Sequence, residues 1–307
     1  MASTGGANVV PVSPAPEVTL QRLDWTVLRR LDGLLQGDYR TLFYGQGLDL
    51  ADIREYQPED DVRYIDWNVT ARMDTPYVRQ YHEDREITAH FLCDLSPSLD
   101  FGTVRTEKRA VVEDVVAVLS RILTRHGNRV GAILYNGSVE RAIPAGGGKP
   151  AVLRLLNEIR RSPRLRQAPY TALADLIEAA DRTIRRRSLI FVVSDFFSAP
   201  GWERALGRLA MRNEVIAVRV SDPREREIPD IGWITMTDAE TGQQLQVDTH
   251  DRRFRTRFAQ VVQKHEEALR RAFVQAGVDV LEVSTEEDLV RAIARFAAVR
   301  KLRRGRH

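Results

Sequence analysis

The fold is decided by a short apolar run, SLIFVVSD, at residues 188–195. Residues 189–193 carry no polar side chain, and Asp195 closes the run. A strand that is apolar on both faces is typical of the middle of a parallel sheet covered by helices on each side. We therefore predict a central strand here, with its carboxyl end at Asp195.

Strand and helix patterns alternate on both sides of this run, from Ile87 onward. Period-two and apolar patterns predict further strands at residues 87–94, 128–136, 138–145, 214–222 and 278–285, and a hairpin at 232–249. Helical spacing predicts helices at residues 105–126, 151–160, 173–185, 202–212, 252–275 and 286–298. Such alternation predicts the α/β class, with a doubly wound, mostly parallel sheet flanked by helices.

The region before residue 86 has a different character. Residues 19–36 place apolar side chains at helical spacing and predict one amphipathic helix. The following stretch has mixed charges and aromatic residues without a helical face, and residues 77–81 predict a strand. The predicted organisation is a disordered leader at 1–18, an N-terminal segment at 19–85, the α/β domain at 86–300 and a basic tail at 301–307.

Composition excludes several classes of protein. The chain has 307 residues, of which 43% are hydrophobic and 29% are charged, as in ordinary globular proteins. Its longest apolar runs are far shorter than a membrane span. With one cysteine, Cys93, it cannot form an internal disulfide, which predicts a cytoplasmic location. The net charge is only +3, and the basic tail is interpreted as a solvated terminus, so a nucleic-acid partner is not expected.

Oxygen-bearing side chains gather at the predicted strand ends. Asp94 closes one strand and is followed by Ser96 and Ser98, Asp195 closes the central strand, and Thr171 precedes the helix that leads to it. In a doubly wound sheet, loops at the carboxyl ends of the strands meet at one edge. Hydroxyl and carboxylate oxygens suit Mg²⁺ or Mn²⁺. The histidines show no zinc-ligand spacing.

The pattern formed by these five residues is similar to the metal-ion-dependent adhesion site of von Willebrand factor A-type domains. That signature is Asp-x-Ser-x-Ser, then Thr, then Asp, and every position is matched here. The resemblance implies a von Willebrand A-like fold. It also implies that these side chains hold the metal and that a protein partner supplies a carboxylate to it.

A longer motif upstream resembles the bacterial domain-of-unknown-function family fifty-eight. The motif is carried by Gly45, Gly47, Arg54, Tyr56, Asp60, Asp61, Arg63, Ile65, Asp66, Trp67, Ala71 and Arg72. Glu59 stands where the family usually has Gly. The resemblance covers about residues 40–235 and implies a MoxR-type AAA+ ATPase as partner in protein maturation or complex assembly.

Asp60, Asp61, Arg63, Asp66, Arg72 and Arg79 could form a functional charged surface, but we interpret them as a network of ion pairs and hydrogen bonds that holds this segment onto the α/β domain. Arg54 of the motif is likewise interpreted as structural. Tyr56 and Trp67 are interpreted as packing anchors.

Other interpretations of the same residues remain open. Asp94, Ser96 and Ser98 are also good helix caps, and Pro97 fits a turn. The site could instead activate water in a metal-dependent hydrolase, a phosphatase or a nuclease. Such an enzyme would need a general base, for which only Asp94, Asp100 and Asp195 are at hand. We therefore favour a non-enzymatic, Mg²⁺-dependent protein-interaction module.

Overall fold

The structure is a computed structural model, and it describes residues 15–35, 52–58, 60, 62, 65–73, 75–80, 87–103, 106–165, 171–238 and 240–304. The helices are α1 Pro16–Leu23, α2 Arg29–Leu35, α3 Trp67–Met73, α4 Lys108–Arg125, α5 Gly148–Arg161, α6 Leu173–Thr183, α7 Trp202–Arg212, α8 Arg252–Ala276 and α9 Leu289–Arg304. The strands are β1 Asp52–Glu55, β2 Tyr77–Gln80, β3 Thr88–Asp94, β4 Arg129–Tyr135, β5 Val139–Gly146, β6 Leu189–Ser194, β7 Glu214–Ser221, β8 Trp233–Thr237, β9 Gln244–Asp248 and β10 Asp279–Ser284.

A six-stranded sheet forms the centre of the domain, with the strand order β10-β7-β6-β3-β4-β5. Every neighbouring pair is parallel except β4 and β5, which form an antiparallel hairpin. Along the chain, β3 is the first strand of this sheet. The strands β4 and β5 lie on one side of β3, and the strands β6, β7 and β10, which come later in the chain, lie on its other side. The predicted α/β class, a doubly wound and mostly parallel sheet flanked by helices, is confirmed.

Helices cover both faces of this sheet, which explains the unbroken apolar run of β6. Leu189, Phe191 and Val193 pack in one core with residues of α1, α4, α5 and α9. Ile190 and Val192 pack in the other core with residues of α6, α7 and α8. Because all six residues of β6 are buried, any polar group at its end is held by a rigid support.

The reversal of strand order falls between β3 and β6. Cys93 is paired with Val193, so the two strands end level with each other. In doubly wound sheets the crevice at this reversal, beyond the carboxyl ends of the strands, is where ligands bind. The topology therefore places the ends of β3 and β6 where a functional site is expected.

Several boundaries differ from the sequence prediction. The N-terminal helical segment begins at Pro16, inside the predicted leader, and a π-helical turn at Asp24–Leu28 joins α1 to α2. Trp25 lies outside the apolar face, is 65% exposed and packs under the Arg29 guanidinium. Residues 1–14 lie outside the described residues.

The basic tail is a second difference. Helix α9 continues through Arg304, and Arg303 forms an ion pair with Asp279 at 3.0 Å. The first four residues of the predicted tail therefore continue the domain's last helix, and residues 301–303 are exposed. Residues 305–307 lie outside the described part of the chain.

The buried carboxylate of Asp222, directly after β7, joins neighbouring loops at the same edge of the sheet by hydrogen bonds. Asp222 is fully buried and accepts hydrogen bonds from the Thr103 and Thr285 hydroxyls, at 2.6 and 2.7 Å, and from the backbone N–H groups of Thr103 and Arg224. Burial alone would raise the pKa of Asp222, but these hydrogen bonds to the ionised form outweigh it and lower the pKa. The charged form of Asp222 therefore stabilises the fold.

We expect Asp222→Ala to lower the free energy of unfolding by about 3 kcal/mol at pH 7, because two buried hydroxyls lose a charged acceptor. A carboxyl whose pKa is lowered by folding stabilises the protein above its unfolded pKa, and this stabilisation is lost as the pH falls through the folded pKa. The difference in the free energy of unfolding between wild type and variant, measured by urea titration, should therefore become smaller below about pH 4. Asp181→Asn removes a partly exposed partner of Arg212 and serves as control. A pH-independent gap would contradict this account.

Candidate functional site

Asp94 lies at the end of β3 and is fully buried. Its Oδ1 accepts the Ser96 backbone N–H at 3.0 Å, and its Oδ2 accepts the Ser194 hydroxyl at 2.7 Å. The second bond ties the end of β3 to the end of β6. Both partners are neutral, so these hydrogen bonds leave the charge of Asp94 without a counter-ion.

Ser96 and Ser98 continue this loop into a short 3-10 helix, Pro97–Asp100. Ser96 occupies the N-cap position of that helix, but its side chain accepts no capping hydrogen bond. Instead, the Ser96 and Ser98 hydroxyl oxygens lie 3.1 Å apart in a buried position. The helix-cap interpretation therefore explains the position of Ser96 at the start of the short helix. It does not explain why the Ser96 hydroxyl lies beside the Ser98 hydroxyl and caps no backbone N–H.

Asp195 follows β6 and is 1% exposed. Its Oδ1 accepts the Phe197 backbone N–H at 3.0 Å, and its Oδ2 accepts the Lys108 ammonium at 2.7 Å. Phe196, which lies between Asp195 and Phe197 in the chain, has a φ of 62°, in the left-handed region that non-glycine residues rarely adopt. The buried Phe196 ring packs against Trp202 and Phe273, which holds this strained turn in place.

Thr171 joins the other two loops from the amino end of α6 and is 1% exposed. Its carbonyl accepts the Ser198 hydroxyl at 2.8 Å and the Ala199 N–H at 2.9 Å, and the next N–H, of Ala172, donates to the Tyr135 hydroxyl. The structure thus brings together the three loops that carry the five predicted site residues.

Lys108 is the cation of the site, and the sequence prediction missed it. It lies in the first turn of α4, is 1% exposed and forms ion pairs with both Asp195 and Glu225. Burial alone would lower the pKa of Lys108, but the two carboxylates outweigh burial and raise it. Lys108 is therefore charged.

Among the described residues, carboxylates outnumber cations at this edge. Asp94, Asp195, Glu225 and Glu240 interact with one another or with the site hydroxyls, Lys108 pairs with two of them, and Arg219 interacts electrostatically with Glu225. Burial, and then the neighbouring charge of Asp195, raise the pKa of Asp94 to about 6. Burial also raises the pKa values of Glu225 and Glu240. This excess of buried negative charge favours an added cation.

The residues present fit a hard divalent cation. The site offers serine and threonine hydroxyls with carboxylates, and the Glu240 Oε2 atom is buried without a hydrogen-bond partner. Within the described part of the chain, no group of three or more His, Cys, Asp or Glu side chains is placed to hold a metal ion. A metal here would therefore need the hydroxyls as ligands, which suits Mg²⁺ or Mn²⁺ and not zinc.

Two half-exposed aromatic rings border the site. Phe101 is 39% exposed and Phe197 is 40% exposed, and their ring centroids lie 5.8 and 5.7 Å from the Lys108 ammonium. Phe197 also stacks on His265, with 4.8 Å between the ring centroids. Exposed aromatic surface therefore borders the buried charged site, and aromatic residues are enriched at protein interfaces.

Much of the upstream motif forms local hydrogen bonds. Arg54 pairs with both oxygens of Asp60, at 2.7 and 2.6 Å, and Asp60 also accepts the Gln57 N–H. Buried Asp66 precedes α3 and accepts the Val69 N–H. Tyr56 is half-buried and donates its backbone N–H to the Pro76 carbonyl.

The prediction for Trp67 was wrong. It was expected to be a packing anchor, but it is 70% exposed at the start of α3. Arg72, near the end of the same helix, is also exposed. A short helix was not predicted here because its seven residues show no apolar face. The motif residues Gly45, Gly47, Asp61 and Arg63, and the departure at Glu59, lie outside the described residues.

Fold and site together define a doubly wound α/β domain that carries a buried, hydroxyl-rich acidic site at the reversal of its strand order. Residues 52–268 match the family model described as "Protein of unknown function DUF58". The chain belongs to this family, as the upstream motif predicted.

Relatives of the chain are found in mycobacteria. An uncharacterised protein of Mycobacterium tuberculosis is 38% identical over 291 residues, which cover 94% of this chain and 90% of that protein. An uncharacterised protein of Mycobacterium avium is 37% identical over 163 residues, which cover 53% of this chain and 95% of that protein.

Solved structures that resemble the chain include the conserved hypothetical protein BatB from Bacteroides thetaiotaomicron. The match has 16% identity and a TM-score of 0.42, and it covers 71% of this chain and 98% of BatB. The SpRpn10 VWA domain matches with 11% identity and a TM-score of 0.40, over 68% of this chain and 93% of that domain.

Proposed function

We propose that this protein is a non-enzymatic, metal-dependent protein-interaction module. In this proposal Asp94, Ser96, Ser98, Thr171 and Asp195 hold Mg²⁺ or Mn²⁺ at the edge of the sheet. The observation that carries the proposal is the convergence of these residues from three loops between the ends of β3 and β6.

When bound, the metal would accept a carboxylate oxygen from an acidic residue of a partner protein. The chain's own residues prepare this interaction. Hydrogen bonds from Ser96 and Ser194 orient the Asp94 carboxylate, and Lys108 holds Asp195. Exposed Phe101 and Phe197 would supply apolar contact area around the charged centre.

The alternative, a metal-dependent phosphatase or nuclease, needs a free general base. Asp100 was the carboxylate available beyond the two predicted metal ligands, and it is paired with Arg109 at 2.5 Å. This pairing counts against Asp100 as that base. A screen of phosphate esters and nucleic acids with Mg²⁺ or Mn²⁺ tests the alternative, and hydrolysis that Thr171→Ala abolishes would establish it in place of our proposal.

The resemblance of the upstream motif supports a MoxR-type AAA+ ATPase as the partner and protein maturation or complex assembly as the process. The single cysteine supports a cytoplasmic location. None of the helices in the described residues has both the length and the apolar character to cross a membrane. The ion pair of Arg303 with Asp279 also leaves less of the basic tail available for nucleic acid.

We expect partner binding to require the metal and Thr171. Affinity for the MoxR-type ATPase, measured by surface plasmon resonance in Mg²⁺, should fall at least about ten-fold on chelation or in Thr171→Ala, since outer contacts to a metal site alone are worth that much. Thr183→Ala removes an exposed threonine hydroxyl from α6 and should bind like wild type. Equal binding in Mg²⁺, in EDTA and by Thr171→Ala would refute the proposed function.

A further inference from the structure

The hairpin of β8 and β9 forms a separate two-stranded sheet whose turn reaches the site. At its base, the buried Thr249 hydroxyl donates to the Gly232 carbonyl at 2.8 Å and accepts the Ile231 N–H at 2.9 Å. Between base and turn, most side chains of both strands are exposed or only partly buried. The hairpin is therefore anchored by hydrogen bonds at its base, and most side chains along its two strands are not buried.

Glu240, in the turn of this hairpin, places its carboxylate among the predicted metal ligands. Its Oε1 accepts the Thr171 hydroxyl at 3.0 Å, and it also interacts with the backbone N–H and hydroxyl of Ser98. It lies close enough to Asp195 for their charges to repel. A carboxylate of this chain thus already lies where the proposed function requires a carboxylate of a partner.

One oxygen of this carboxylate is unsatisfied. Glu240 Oε2 is buried and has no hydrogen-bond partner, although Glu240 itself is only half-buried. A buried carboxylate oxygen next to other acidic groups is unfavourable unless something positive completes its environment. The position therefore makes physical sense as that of a ligand to a cation.

The turn is built to present Glu240. Asp238 Oδ1 accepts the backbone N–H groups of Glu240 and Thr241, at 2.9 and 2.8 Å, and the Asp238 N–H donates to the Gln243 carbonyl at 2.8 Å. Gly242 has a φ of 71°, in the left-handed region that favours glycine. These local bonds fix the turn independently of the site, so the hairpin can move as a unit with Glu240 at its tip.

We propose that Glu240 is an internal substitute for the partner's carboxylate and that the β8–β9 hairpin caps the site until an acidic partner displaces it. This inference rests on the proposed function, because it assigns the closed state of the same site. It also implies that the carboxylate of an incoming partner must compete with the Glu240 carboxylate for the same site. Trp233 and Leu245, which are 74% and 63% exposed, would move with the hairpin.

Two measurements test the cap, with Mg²⁺ alone as the probe. In metal-free protein, hydrogen exchange of peptides covering residues 238–244 should be at least about ten-fold faster in Glu240→Gln than in wild type, because the tip loses a charged contact. Calorimetric Mg²⁺ affinity should fall about ten-fold or more in Glu240→Ala, since a carboxylate of the site is lost. Added acetate should restore much of that affinity in Glu240→Ala and change it little in wild type.

Glu286→Gln, which removes an exposed carboxylate from the turn after β10, is the matched control and should behave as wild type. Unchanged exchange at the hairpin in Glu240→Gln, or Mg²⁺ affinity in Glu240→Ala equal to wild type, would overturn the cap. Failure of wild type to bind Mg²⁺ would instead overturn the proposed function, and the metal-free exchange rates would still decide whether Glu240 holds the hairpin closed.

Discussion

Asp94→Asn should abolish the response of this protein to Mg²⁺. Asp195 is paired with Lys108, whereas the hydrogen bonds of Asp94 come from neutral donors, so the Asp94 carboxylate contributes negative charge that can attract a cation. Loss of this charge should weaken Mg²⁺ binding by more than about 100-fold, given the size of Coulomb energies over a few ångströms. At a Mg²⁺ concentration of 100 times Kd, the free energy of unfolding should rise by about 2.7 kcal/mol in wild type and hardly at all in the variant.

The loss of the Mg²⁺ response in Asp94→Asn can be distinguished from misfolding by its stability without metal. Without Mg²⁺, Asp94→Asn should be at least as stable as wild type in urea, because it removes one of two neighbouring buried carboxylates. Asp100→Asn changes a carboxylate of the same loop that is already paired with Arg109, and it should keep the Mg²⁺ response. An undiminished response in Asp94→Asn would rule out the proposed metal site.

Lys108→Met should destabilise the protein by about 3–5 kcal/mol, the usual cost of removing one partner from a buried ion pair. Lys108 is 1% exposed, and its removal takes away the cation that pairs with the Asp195 carboxylate and with the largely buried Glu225 carboxylate. The same change should leave Asp195 less well fixed. Urea unfolding at pH 7 without metal measures the effect.

The matched control is Arg208→Met, which breaks an exposed ion pair with Glu178 and should cost at most about 1 kcal/mol. The combination of Lys108→Met with Asp195→Asn and Glu225→Gln separates charge from packing. If uncompensated charge causes the loss, the triple variant should recover most of it. A cost below about 1 kcal/mol for Lys108→Met alone would show that the buried pair does not stabilise the fold.

The meeting of the three loops that carry the five candidate site residues could be predicted because each loop lies next to a recognisable element. Asp94 and Asp195 end apolar strands, and strands of that kind are visible in a window of a few residues. A doubly wound topology then brings their loops together without further information. Phe196 was not predicted to be strained, because its left-handed backbone is held by distant aromatic rings and not by a local turn signal.

Lys108 and Glu240 could not be found in the same way. Lys108 lies 87 residues from Asp195 and 117 from Glu225, and in the sequence it is one lysine at the start of a helix. Glu240 lies 69 residues from Thr171, in a hairpin turn whose composition predicts exposure. Ser194 was visible beside Asp195, and its bond to Asp94 could have been suspected from the pairing of two neighbouring strands.

The sequence by itself determined the order of strands and helices from β3 to α9, the α/β class and the loops that carry Asp94, Ser96, Ser98, Thr171 and Asp195. These depend on hydrophobic period and strand ends, which are local properties. Only the tertiary structure decided that Lys108 pairs with Asp195 and that Glu240 accepts a hydrogen bond from Thr171. Both are contacts between distant segments, and long-range charge pairing depends on how helices and hairpins pack, which no local pattern records.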